Sequence, residues 1–344
     1  MVGFPAELPA GPTDVLSFNR VVESKCPVLT VQTPMNTQSR PRRLGRKSSG
    51  GRARQRSLLA LPALLALRAF VPAGAQSPDE RVAKYLQAAG FCQVGETCVM
   101  TDEKHKALET TIKTTEQWTP VPVKVQPGLG GAPPSDAIIL FDGRNLDAWV
   151  SANDHTPAAW LVKDMMLTVV KSAGNIETRQ SFKNYQLHLE WRIPQDITGE
   201  GQGRGNSGLF LASTAAGDAG YEIQILDSWN NSTYVNGQAA SIYKQAAPLV
   251  NASLSPGNWQ SYDVIWTAPV FARDGSTKSP GYVTVLHNGV LVQNHTPLAG
   301  ETVYMGKPFY VPYERAPIKL QAHGDPSAPI SFRNIWVREL EGPS

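Results

Sequence analysis

Glu222, Gln224 and Asp227 stand in the stretch YEIQILDSW, with Asn206 upstream in GNSGLFL and the aromatic residues Tyr221 and Trp229 at either end. Carboxylates can give and take protons, amides can hold hydroxyls, and aromatic faces can pack on the C–H surface of a pyranose, so the combination suits a sugar site. Two further stretches add to it. Successive side chains of a strand point to opposite faces, so YQLHLEWRI sets His188, Glu190 and Arg192 opposite Leu187, Leu189, Trp191 and Ile193. By the same alternation IKLQAHG sets Lys319, Gln321 and His323 opposite Ile318 and Leu320. The candidate catalytic groups are therefore Glu222, Glu190, Asp227, Arg192 and His323, and the candidate substrate-binding groups Asn206, Gln224, Tyr221, Trp229 and Gln321. If His188, His323, Glu190 and Glu222 meet on one face, a divalent metal held there would polarise a carbonyl as a Lewis acid. The sequence requires no cofactor, and no ligand pair has a diagnostic spacing. The bland alternative for each row is a solvated outer face, with Lys319 a surface lysine and Glu190 and Arg192 an exposed ion pair.

Rows of this kind need a sheet to carry them. From Ile138 onward the chain is a succession of short alternating or apolar runs separated by turn signals, which predicts an all-β sandwich. Candidate strands include AIILF, AAWLVKDMMLTVV, YQLHLEWRI, SGLFLAS, YEIQILD, QSYDVIWTA, IKLQAH and ISFRNIWVREL. Asn288-Gly289 inside YVTVLHNGVLVQN marks a hairpin with a type I′ turn, which puts His287 at its tip. Upstream, SPDERVAKYLQAAGF has the caps and spacing of one short helix, and the Pro- and Gly-rich residues 118–135 read as a linker.

Charge and targeting narrow the class. The 344 residues carry a net charge of +3, but residues 1–75 hold 11 basic and 3 acidic residues, which leaves the remainder at −5. No basic footprint for nucleic acid survives in that remainder. RPRRLGRKSSGGRARQR followed by SLLALPALLAL and VPAGAQS has the order of an export signal, with cleavage expected after Ala75 and translation expected to start near Met35. The protein is therefore expected in the periplasm or outside the cell, with no stable membrane anchor. In that compartment Cys92 and Cys98 are expected to form a disulfide. The expected organisation is an export segment over 1–75, a helix and linker over 76–134, and a sandwich domain over 135–341.

LFDGRNLDAWV, GNSGLFL, YEIQILDS, PLVNASLSPGNWQSYDVIWTAPVF, VTVLHNGVLVQNH and LQAHGDPSAPISFRNIWVREL together resemble the 3-keto-disaccharide hydrolase family over residues 135–340. The resemblance implies a concanavalin A-like jelly-roll sandwich that cleaves 3-keto-glycosides. Such a substrate implies a sugar 3-dehydrogenase as functional partner, since the sugar must first be oxidised. A C3 ketone acidifies the C2 proton, so cleavage would proceed by base-promoted elimination and hydration. Glu222 or Glu190 would serve as base, Arg192 or His323 as partner of the enolate oxygen, and Asp227 as acid. EIQILD is also similar to the E-x-D-x-x-E signature of laminarinase-like retaining glycosidases, with Gln224 and Asp227 as departures. A retaining pair stands about 5–5.5 Å apart, while five strand residues span roughly 16 Å, so that reading ranks second. A non-catalytic carbohydrate-binding sandwich is the third, and the acids and basic groups on these faces weigh against it.

Overall fold

The computed structural model describes Lys84, residues 86–90 and residues 102–340. The expected export signal, its cleavage site and the Cys92–Cys98 pair lie outside the described residues. Of the helix expected over residues 77–91, Lys84 and Leu86–Ala88 are helical, Ala89 and Gly90 form a turn, and the rest lies outside the described residues. The chain divides into two units, residues 1–108 and 109–344. A helix not expected from the sequence, Asp102–Lys113, opens on Asp102 and Glu103, closes on Lys113 and buries no residue. Its charge order suits the helix dipole, positive at the N-terminus and negative at the C-terminus. No described helix is long and apolar enough to cross a membrane.

The second unit is built from strands. In chain order these are β1 (Ile138–Phe141), β2 (Trp149–Ser151), β3 (Leu161–Lys163), β4 (Met166–Thr168), β5 (Ile176–Thr178), β6 (Tyr185–Arg192), β7 (Asn206–Ser213) and β8 (Gly220–Leu226). There follow β9 (Trp259–Thr267), β10 (Val270–Phe271), β11 (Thr277–Ser279), β12 (Tyr282–His287), β13 (Val290–Pro297), β14 (Lys319–Leu320) and β15 (Ser331–Glu339). An eight-stranded antiparallel sheet runs β13-β12-β9-β6-β15-β4-β3, with β1 also paired to β15. A five-stranded sheet runs β2-β5-β14-β7-β8, and β10 and β11 form a small ribbon. The class is the predicted all-β sandwich.

Alternation places the core where the sequence puts it. Leu187, Leu189 and Trp191 of β6 are fully buried, as are Tyr221, Ile223 and Ile225 of β8, and all belong to one hydrophobic cluster with Trp266. Burying a side chain of Leu or Ile size stabilises by about 1.5–3 kcal/mol, so this cluster dominates the energetics of the fold.

Of three local expectations one holds and two resolve differently. The Asn288-Gly289 turn forms as predicted, with φ of 53° and 75°. The long run AAWLVKDMMLTVV is not one strand but the hairpin β3-β4, turning at Asp164 and Met165 with φ of 51° and 59°. His287 is no turn residue. It is 1% exposed, stacks on Trp191 at 5.7 Å, and burial pushes its pKa down to about 4.

Candidate active site

The two sheets separate the candidates. Glu190, Arg192 and His188 point outward from the eight-stranded sheet, whereas Glu222, Gln224, Asn206, Gln321 and His323 belong to the opposite outer face, on the five-stranded sheet. The core lies between them, so the expected grouping of Glu190 and Arg192 with Glu222 and His323 is corrected. The four-residue metal set fails for the same reason. Among the described residues no cluster of three or more His, Cys, Asp or Glu is arranged to hold a metal ion.

On the five-stranded sheet a cavity of about 370 Å³ opens over β8, β7 and the chain leaving β14. Glu222 lies in it, 5% exposed, and among the described residues no hydrogen bond reaches its carboxyl group. Burial, reinforced by the negative charge of Asp218, pushes its pKa up to about 8. A carboxyl that desolvated keeps its proton at neutral pH. Space for it comes from β7, where a Cβ on Gly208 would stand 2.6 Å from Glu222 Oε1.

His323 lines the same cavity. Asp325 meets its Nδ1 with a carboxylate oxygen at 3.0 Å and a backbone N–H at 3.2 Å. Nδ1 cannot both donate to the carboxylate and accept the N–H; the charge-assisted bond is the stronger of the two, and the tautomer that makes it, with the proton on Nδ1, leaves Nε2 as an acceptor, 3.5 Å from Asn206 Nδ2. Burial alone would raise the Asp325 carboxyl, but hydrogen bonds from His323, Ser327 and Lys171 outweigh it and hold the pKa at about 2. The dyad is fixed by its loop: Ser327 N–H donates to Asp325 Oδ1 at 2.9 Å, and Gly205 N–H donates to Ser327 Oγ at 2.9 Å.

Amides fill the floor. Gln224 Nε2 donates to Gln202 Oε1 at 2.9 Å, and Asn206 Nδ2 donates to the Gln202 carbonyl at 2.8 Å. Gln202 in turn donates to Thr233 Oγ1 and the Gly237 carbonyl at 3.0 and 2.8 Å, which ties the covering loop to the sheet. Gln321 Oε1 is buried and has no hydrogen-bond partner among the described residues.

Besides Glu190 and Arg192, three expected site residues sit outside the cavity. Tyr221 is fully buried in the core, with its ring 5.6 Å from Trp266, because its place in the alternation is the inner one. Asp227 is 1% exposed, has Arg204 Nε 2.7 Å from Oδ2 and accepts the Trp229 N–H on Oδ1 at 3.0 Å, so it is a structural ion pair outside the cavity lining. The two-carboxylate retaining reading thereby loses its acid. Trp229 is 43% exposed and does not line the cavity. Glu190 is engaged by Arg333 at 2.6 Å and Asn334 at 2.9 Å. Burial opposes these contacts, yet they lower its pKa, the wrong direction for a base. Lys319 is not a surface residue either. Fully buried, it donates to the carbonyls of Ala215, Gly217 and Ala219 at 2.7, 2.9 and 3.0 Å and so braces the loop beside the site.

The aromatic surface at the site comes from loops and was not found in the sequence. Tyr234, Tyr243 and Tyr304 line both the Glu222 cavity and an adjoining one of about 400 Å³. Tyr234 and Tyr304 are 41% and 70% exposed, and Tyr234 Oη lies 2.6 Å from Tyr243 Oη. Lys244 Nζ sits 4.0 Å above the Tyr304 ring and donates to its carbonyl at 2.7 Å. The available signal was the tyrosines of NNSTYVNG, SIYKQ and TVYMGK, and alternation assigns no face to loop residues.

Comparison with known proteins agrees with this fold. The family model described as a 3-keto-alpha-glucoside-1,2-lyase-like domain matches residues 136–338. A crystal structure from Parabacteroides distasonis ATCC 8503, of a protein provisionally assigned as a glycosyl hydrolase, is 48% identical, with a TM-score of 0.63 over 72% of this chain and 100% of that one. A second protein of that organism with the same assignment is 18% identical, with a TM-score of 0.43 over 60% of this chain and 94% of that one. No curated protein matches the chain.

Proposed function

The chain belongs to the 3-keto-alpha-glucoside-1,2-lyase-like family, and on that premise we propose that the Glu222 cavity cleaves the glycosidic bond of sugars oxidised to a ketone at C3. The observation that carries the reading is the pairing, in one cavity, of a carboxyl group that holds its proton at neutral pH with an imidazole whose Nε2 is left as an acceptor. In the proposed reaction His323 Nε2 takes the C2 proton, which the neighbouring ketone has acidified. The C2–H electron pair forms the enolate and then the C1–C2 double bond as the C1–O bond breaks. Glu222 gives its proton to the departing oxygen, so an alcohol and an enone leave. Addition of water to the enone returns a free 3-keto sugar and makes the sum a hydrolysis.

Each half of the acid–base pair is worth about 10²–10⁴-fold in rate. Gln321, Gln224 and Asn206 supply amide groups for the carbonyl and the hydroxyls. The leaving sugar rests against Tyr234 and Tyr304 in the adjoining cavity. On this reading an enzyme that oxidises a sugar at C3 acts first, and the basic and apolar run before Ala75 supports a periplasmic or extracellular setting for both. Incubation with a 3-keto-disaccharide tests the reading: free monosaccharide released by the wild type and lost in Glu222→Gln supports it. Release unchanged by that substitution contradicts it.

A further inference from the structure

The opposite face of the sandwich holds a second set of groups that the proposed reaction leaves unused. Trp259 of β9 pairs in register with Arg192 of β6, while Arg333 of β15 pairs with Glu190. Both guanidinium groups lie over the Trp259 indole, with Cζ 4.7 Å from the ring centroid for Arg192 and 4.1 Å for Arg333. Their charges are balanced differently. Arg333 is neutralised by Glu190, which also accepts from Asn334 because a bulge in β15 turns Asn334 to φ 48° and redirects its side chain. Arg192 instead donates to Met166 Sδ at 3.0 Å, and among the described residues no carboxylate stands within 4.0 Å of it.

This uncompensated guanidinium lines a cavity of about 720 Å³, a size that suits a small organic ligand. The cation–π contact with Trp259 anchors the guanidinium, and its forked donors match a carboxylate through two parallel bonds. One wall is apolar, with Met165 67% and Ile139 44% exposed. Asp142 and Asp164 stand in the lining as well, Asp142 with Arg144 3.4 Å away. Two carboxylates repel a dianion such as phosphate more strongly than a monoanion, and they accept hydrogen bonds from hydroxyls, which phosphate does not offer in a ring.

We propose that this cavity is a binding site for a sugar acid, with the carboxylate on Arg192, hydroxyls on Asp142 and Asp164, and the C–H face against Met165 and Ile139. The site is separate from the Glu222 cavity and does not depend on the reaction proposed there.

Calorimetric titration of the full chain with sodium glucuronate, glucose and inorganic phosphate tests it. The expected result is saturable glucuronate binding that is at least tenfold tighter than either glucose or phosphate. Arg192→Gln should weaken it at least tenfold, and Arg192→Lys should weaken it less, since charge is kept but the fork is lost. Glu222→Gln should leave it unchanged. The melting temperature of each variant separates lost binding from lost fold, and the Arg192→Lys titration decides the matter if Arg192→Gln does not fold. Absence of saturable glucuronate binding, equal binding of glucose or phosphate, or affinity that Arg192→Lys and Arg192→Gln leave untouched would each overturn the proposal. Loss of binding in Glu222→Gln would do so too, by placing the ligand on the other face.

Discussion

Gly208 of β7 and Glu222 of β8 compete for one volume: a Cβ at position 208 would stand 2.6 Å from Glu222 Oε1 and 3.0 Å from the Phe210 ring. The atom displaced is the tip of a flexible side chain, so the damage falls on the position of the carboxyl group rather than on the fold. Gly208→Ala is expected to lower kcat at least tenfold and to move the melting temperature by only a few degrees. A variant with wild-type turnover would show that the Glu222 carboxyl need not stay where it is.

Glu222 also sets two pH dependences. Its folded pKa of about 8 lies above the ordinary 4.5, so between these values the folded protein keeps a proton that the unfolded chain releases. The contribution is fully present below about pH 4.5 and is lost as pH rises through about 8. Glu222→Gln is therefore expected to melt like wild type near pH 4 and to exceed it progressively up to pH 8, by an amount on the order of a few kcal/mol. As an acid, Glu222 must be protonated, so wild-type kcat should fall above about pH 8. Melting curves that stay parallel across this range would contradict the buried carboxyl.

Asp325 acts through His323 and is a positioning residue. Asp325→Asn is expected to lower kcat about 10²-fold with KM little changed, because the substrate contacts remain and only the orientation of Nε2 is lost. His323→Asn should lose about as much, and the double variant should lose little more. An increase in KM alone would move the dyad from proton transfer to binding.

These expectations rest on a site only partly legible in the sequence. Alternation in YQLHLEWRI and YEIQILD placed Trp191 and Ile223 in the core correctly, since period 2 is a property of the strand itself. It does not tell which sheet each strand joins, so it groups Glu190 with Glu222 though they face opposite ways. Nor could it show that loops cover the outer face of β8. That cover turns a polar row into a buried site with a raised carboxyl pKa and turns Lys319 into a brace. Asp325 stood two residues beyond His323 in AHGDPS, yet only the turn brings its carboxylate back to the ring.

Tyr221 and Trp191 test the facing of the sheets. Tyr221 Oη is buried with no hydrogen-bond partner among the described residues, so Tyr221→Phe removes an unsatisfied polar group and is expected to keep activity and raise the melting temperature slightly. Trp191→Ala should destabilise by about 3–5 kcal/mol, measured by denaturant unfolding. Activity lost in Tyr221→Phe would return that residue to the substrate.

The most direct measurement concerns the C2–H bond of the substrate. Elimination breaks it and needs the ketone, whereas hydrolysis through an oxocarbenium-like state does neither. Turnover should be compared for a 3-keto-disaccharide, its C2-deuterated form and the unoxidised disaccharide, with wild type and His323→Asn. The account predicts that the unoxidised sugar is inert and that the deuterated one reacts several-fold more slowly. Equal turnover of the oxidised and unoxidised sugars, with no isotope effect at C2, would contradict it.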